Sequence, residues 1–153
     1  MKVAEALLIR SDIARKVESL KYRIRKNATI QEGDIPDEDP GTLIDAAFAL
    51  LEEQELLASR MNRANMNSLL PDGRTMMEML AKLDGLKNQL AVLTRTIERA
   101  KGSRGERYSR QEIKWVKTVD VLALQKQADR LAMQIRKLNM LIQEENWKTE
   151  LED

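Results

Sequence analysis

The sequence predicts an all-α fold: an antiparallel four-helix, coiled-coil-like bundle with its two longer loops at one end. Three observations predict it. Apolar residues recur in alternating steps of three and four through four long segments. Charged residues make up 33% of the chain against only 6 Gly and 3 Pro, the balance expected of long helices with solvated outer faces. With one Phe, two Tyr and two Trp available, the core must be built from Leu, Ile, Val, Met and Ala, which pack well between helices. At 153 residues the chain suits one helical domain, 1–153, large enough to bury a continuous core without staples.

The first helix is expected over 2–28, where Val3, Ala6, Arg10, Ile13, Val17, Leu20 and Ile24 form a heptad seam with Arg10 as its one polar member. The second is expected over 42–69 on Leu43, Ala47, Leu50, Gln54, Leu57, Met61 and Ala64, interrupted at Gln54. The third, over 75–101, runs through Met76, Met79, Leu83, Leu86, Leu90, Leu93, Ile97 and Ala100 without a polar break. The fourth, over 119–147, reads Val121, Leu124, Ala128, Leu131, Ile135, Leu138 and Ile142. Leu7, Leu51, Leu80 and Leu141 lie beside the seams and widen each stripe beyond that of a two-stranded coil, which favours a bundle. Each helix of about 25 residues would be roughly 38 Å long.

Helix starts are marked by Thr42 with Asp45, a capping arrangement, and by Thr75 with Glu78, a capping box. The Pro71-Asp72-Gly73 turn before Thr75 is short enough to make the second and third helices an antiparallel hairpin. Two connections are longer. One, from Thr29 to Gly41, carries Glu32, Asp34, Asp37, Glu38 and Asp39 and no basic residue. The other, from Gly102 to Lys117, carries Arg104, Arg107, Arg110, Lys114 and Lys117 against Glu106 and Glu112. An up-down-up-down bundle makes these two loops neighbours, within one chain or across an oligomer interface. The stretch Glu112–Lys117 reads as extended or a short strand, with Ser109 and Glu112 as the cap of a short helix in the alternative.

Composition closes many functional classes. The absence of histidine and cysteine removes Ser-His and Cys-His catalysis, disulfides, and the imidazole or thiolate ligands of zinc and iron–sulfur sites. Lys101-Gly102-Ser103-Arg104-Gly105 lacks the spacing of a phosphate-binding loop, and the acidic loop lacks the residue order of an EF-hand. Glu52-Glu53 and Glu144-Glu145 are adjacent pairs that point in different directions on a helix, unlike an acid–base couple. No catalytic residue, metal ligand or cofactor is therefore expected. A net charge of +1 supplies no global field toward nucleic acid or anionic membrane. The longest apolar run, Ala46 to Leu51, is far short of the roughly 20 residues of a membrane span, and Met1–Arg10 has no signal-peptide block. A membrane partner is disfavoured and a cytoplasmic location is expected.

Two groups of residues stand out as candidates. Arg104, Arg107, Tyr108, Arg110, Lys114, Trp115 and Lys117 combine phosphate-binding charge with rings able to stack on bases. Their alternative is structural: Glu106 and Glu112 can neutralise the arginines, and Trp115 can pack beneath the bundle. Arg10 and Gln54 are polar seam positions of the kind that set register or oligomer number. Asn62, Asn65, Asn139, Gln143 and Asn146 add amides along the helices, suited to an interface or a small polar network.

Three blocks resemble the small bacterial proteins of a septicolysin-named family of unknown function. They are Asn62–Asn65 running into Pro71–Thr75, Arg107–Val116 with Thr118–Val121, and Ile142–Trp147. Ile30 to Gly33 and Asp39-Pro40 fit as well, so the resemblance extends along nearly the whole chain. It implies a helical bacterial protein without established catalytic residues, and its name implies a cytolysin acting on membranes. The residues themselves favour a non-catalytic, self-associating structural or interaction module, a homo-oligomer. Nucleic-acid or phosphate-ligand binding through residues 102–117 is the alternative, and the cytolysin activity implied by the family name is the second.

Overall fold

A computed structural model of the chain describes residues 1–70, 72–102 and 115–152. Among them are four helices: α1 (Val3–Asn27), α2 (Pro40–Asn67), α3 (Met76–Lys101) and α4 (Val121–Lys148). The all-α fold class expected from the spacing is the one observed. The helix starts differ in detail from those expected. The α2 cap is Asp39, whose carboxylate accepts the Thr42 N–H at 2.7 Å, with Pro40 pre-set for the first turn. Thr42 and Asp45 therefore lie inside the helix. In α4 the Asp120 carboxylate accepts the Ala123 N–H at 3.0 Å, which moves the start to Val121. The Thr75/Glu78 box forms as read: Glu78 Oε2 accepts the Thr75 N–H at 2.7 Å, and Thr75 Oγ1 accepts the Glu78 N–H at 3.2 Å.

The chain divides into two compact units, Met1–Leu70 with Glu144–Asp153, and Pro71–Gln143. In the first unit α1 and α2 pack antiparallel. Val3 and Ala6 at the start of α1 share a cluster with Leu57, Met61 and Ala64 late in α2, whereas Leu20 late in α1 meets Leu43 and Ala47 early in α2. The seam periodicity explains this, since steps of three and four keep one face of each helix turned to its partner.

Leu151 completes the first cluster. It is held there by backbone bonds to the opposite terminus: Val3 N–H donates to Thr149 O at 3.0 Å and Leu151 N–H to Met1 O at 2.9 Å. Lys2 adds a side-chain tie, its ammonium donating to Glu150 at 2.7 Å and to the Lys148 carbonyl at 3.0 Å. Val3 N–H is one of the donors that a helix start leaves without an internal partner, so the C-terminal segment satisfies it.

In the second unit the unbroken seam of α3 is buried at Met76, Met79, Leu83, Leu86 and Ile97. Met76 and Met79 are among the most deeply buried side chains described. Ala128, Leu138 and Ile142 of α4 are buried as well, and Leu124, Leu131 and Ile135 are half-buried on the same stripe. Each large aliphatic side chain fully withdrawn from water contributes about 1.5–3 kcal/mol, enough for the seams to dominate the fold. α3 ends at Gly102, whose φ of 79° lies in the left-handed region that ends helices with least strain at glycine.

Candidate partner interface

Of the basic segment singled out in the sequence, Arg104, Arg107, Tyr108, Arg110 and Lys114 lie outside the described residues, as does the first half, 112–114, of the stretch read as extended. Trp115 and Lys117 are described, and both are exposed. Trp115 is 77% exposed, so it does not pack beneath the helices. The Arg99 guanidinium carbon sits 5.9 Å from the centre of its ring, within cation–π range.

The acidic connection is closed by α1. Asp37 accepts from the Lys26 ammonium at 2.8 Å. Glu38 pairs with the Arg23 guanidinium through two contacts, one of them Nε to Oε2 at 2.8 Å. These hydrogen bonds, reinforced by the charges of Lys26 and Arg23, hold the Asp37 and Glu38 carboxyls below their ordinary pKa. Asp39 is lowered chiefly by the backbone N–H of Thr42 and then by its hydroxyl. Buried Asn27 completes the join, its Oδ1 accepting the Glu38 N–H at 3.2 Å while its Nδ2 donates to the Arg23 carbonyl at 3.0 Å. Asn27 is not among the residues that spacing or composition singles out. An asparagine in the last turn of a helix before an acidic loop was the available signal. Among the described residues no group of three or more acidic side chains has the arrangement to hold a metal ion.

The polar seam residues separate. Arg10 has the spacing of a core position but its side chain is exposed, Gln54 is half-buried, and Asn146 is buried. Asn62 and Gln143 are exposed, and Asn65 and Asn139 are half-buried. Near the C-terminus of α4 a small polar group joins Ser68 Oγ to Thr149 Oγ1 at 3.2 Å, with Glu145 close to both.

Asn62 and Asn65 fall on a second stripe of α2, beside the seam. Ile44, Phe48, Leu51, Glu55, Ala58, Asn62 and Asn65 again follow alternating steps of four and three, so they share one face, rotated from the buried seam. Much of that face is open. Phe48, the chain's one phenylalanine, is 61% exposed, Leu51 is 41% exposed, and Met66 beside the stripe is 63% exposed. Ile44, Phe48 and Leu51 make an apolar patch on the first half of that face, ahead of Glu55, and such a patch marks a contact surface more often than isolated exposed residues do. The overlooked signal was the second 4-3 repeat itself.

Charge is polarised along the same helix. From Pro40 to Glu55 α2 carries Asp45, Glu52, Glu53 and Glu55 and no basic residue; from Leu56 to Asn67 it carries Arg60 and Arg63 and no acidic one. Arg60 donates to the Glu152 carbonyl at 2.9 Å. On the side toward α1, Met1, Ile9, Leu56 and Leu57 line a shallow depression edged by Glu53 and Arg60. Its volume of about 140 Å³ is well below the roughly 300 Å³ at which pockets for drug-sized ligands begin.

Comparisons with known proteins agree on the fold and on the absence of an assigned activity. A solved structure described as a functionally unknown conserved protein from Corynebacterium diphtheriae is similar to this chain at 34% sequence identity, with a TM-score of 0.88 and coverage of 99% of each chain. No curated protein matches. The resemblance to a septicolysin-named family is corrected by these findings. The profile that matches is that of another family, and nothing indicates a septicolysin relationship, so the membrane-lytic activity implied by that name falls with it. Blocks of polar and charged residues on helical spacing recur in unrelated bundles, which makes such local likeness a weak guide to family. No helix among the described residues is long and apolar enough to cross a membrane. The match over residues 10–151 shows that the chain belongs to the family described as a family of unknown function (DUF6847).

Proposed function

We propose that this protein is a non-enzymatic helical module that works by association, using the outer face of α2 as its contact surface. The observation that carries the reading is the exposed patch through Phe48 and Leu51, apolar side chains left in water on a helix whose neighbouring seam is already buried. Leaving them exposed forgoes the free energy of burying large apolar side chains, which a contact would recover. The lack of histidine and cysteine fits a protein whose work is binding. Light scattering coupled to size-exclusion chromatography tests it. The wild type is expected to form a discrete complex that Phe48→Glu abolishes while helix content by circular dichroism is unchanged. A wild type that stays monomeric at high concentration and retains no partner through this face sinks the reading.

A second reading, binding of nucleic acid or a phosphate ligand through residues 102–117, is favoured by Trp115, an exposed ring beside Arg99 and Lys117. Quenching of Trp115 fluorescence in a Trp147→Phe variant by a single-stranded oligonucleotide, weakening steeply as salt rises, is its signature. Quenching that ignores salt, or none, counts against it.

A further inference from the structure

We infer that the occupant of the α2 face is a second copy of this chain, docked with its own α2 antiparallel. This rests on the reading of the protein as an associating module and adds both the partner and the geometry. The argument is charge complementarity. Two copies of α2 laid parallel would set Asp45, Glu52 and Glu53 against their own equivalents, and Arg63 against Arg63. Laid antiparallel about a two-fold axis, the acidic half of each copy meets the basic half of the other.

The stripe's register is self-complementary in the antiparallel sense. Its alternating 4-3 steps pair Phe48 of one copy with Asn65 of the other, Leu51 with Asn62, and Glu55 with Ala58, and each pairing occurs twice. Large side chains thus face amides or a small residue, which lets the helices approach. Glu55, the stripe's one charge, lies near the axis opposite Ala58 and within a turn of its own equivalent, a like-charge contact that the two flank pairs must offset. On the flank, Glu52 of each copy lies against the Ser59–Arg63 turn of the other. Glu52 and Arg63 are both exposed and neither forms an ion pair within the chain among the described residues. Asn62 and Asn65 then act as interface amides.

The experiment is a charge swap with mixing. Glu52→Arg and Arg63→Glu are each expected to weaken self-association by roughly tenfold, since each places like charges together twice in a homodimer. An equimolar mixture of the two variants is expected to form a heterodimer of near wild-type affinity, seen by native mass spectrometry, because both flank contacts become attractive again. The double variant Glu52→Arg/Arg63→Glu should likewise dimerise as the wild type does. If the wild type associates and Phe48→Glu disrupts it, yet mixing restores nothing, the antiparallel pairing is overturned while the associating module stands. A dimer indifferent to Phe48→Glu uses another face and overturns the inference too. A wild type monomeric at every concentration removes the second copy as occupant, and capture of a different protein through Phe48 would then leave only the broader reading.

Discussion

At one end of the α1/α2 pair, Val3, Ala6, Leu57, Met61, Ala64 and Leu151 close an apolar cluster stitched by backbone bonds between the two termini. At the other end, only Leu20, Leu43 and Ala47 are buried together, beneath a loop tied to α1 by the Lys26–Asp37 and Arg23–Glu38 pairs. The contrast is between a join made by excluding water and one made in its presence. The first depends on area buried and is nearly indifferent to salt and pH. The second depends on exposed charges that water and ions screen, so it orders the loop more than it stabilises the fold.

The largest effect that can break this contrast is a core truncation. Met61→Ala is expected to lower unfolding free energy by about 2–5 kcal/mol in urea titrations, with Leu43→Ala at or below the bottom of that range. Leu43 sits in the smaller cluster, where neighbouring side chains can relax into the space. Equal losses at the two positions would show that the ends are equally well packed.

Acid should act more on the loop end. Asp37, Glu38 and Asp39 have folded pKa values below their ordinary ones, so the unfolded chain binds more protons as pH falls. Their stabilisation is complete above the ordinary carboxylate range and disappears as pH drops through the lowered folded values. Amide exchange followed by NMR should therefore show the 28–39 segment losing protection, as pH falls below the ordinary carboxylate range, before Val3, Met61 and Leu151 do. Glu150, lowered by its hydrogen bond with Lys2, titrates in the same sense, but the backbone bonds beside it persist. Simultaneous opening of both ends would remove the distinction.

The smallest effect is that of salt. Between about 0.1 M and 1 M the screening length falls from roughly 10 Å to 3 Å, which should loosen the Arg23 and Lys26 pairs and leave the terminal cluster unchanged. Exchange rates in the loop that rise with salt while those of α1's first turns stay constant would sharpen the comparison.

How much of this could be read beforehand depends on distance along the chain. The Thr75/Glu78 box lies within one helical turn, and it was legible for that reason. The start of α2 was misplaced because Thr42/Asp45 and Asp39/Thr42 are both plausible caps, and Pro40 in the first turn decides between them. Arg10 occupies a seam position by count, yet a long side chain with a charged end reaches solvent from a site that would bury a leucine. Asn27 bridges to Glu38, eleven residues on, and Lys2 bridges to Glu150 at the far terminus; no local pattern announces either. The Phe48 stripe was legible in principle, since its repeat is as regular as the seam beside it.

The sequence by itself determined that the protein is helical, where its four helices run to within a few residues, and which chemistries its residue types exclude. Periodicity, caps and composition act within a few residues, so local energetics settle them. Only the tertiary structure decided which of the two stripes on α2 is buried, that Lys26 and Arg23 close the acidic loop, and that the two termini are bonded together. Burial and long-range pairing are set by what the folded chain brings opposite each face, and spacing along one helix carries no record of that.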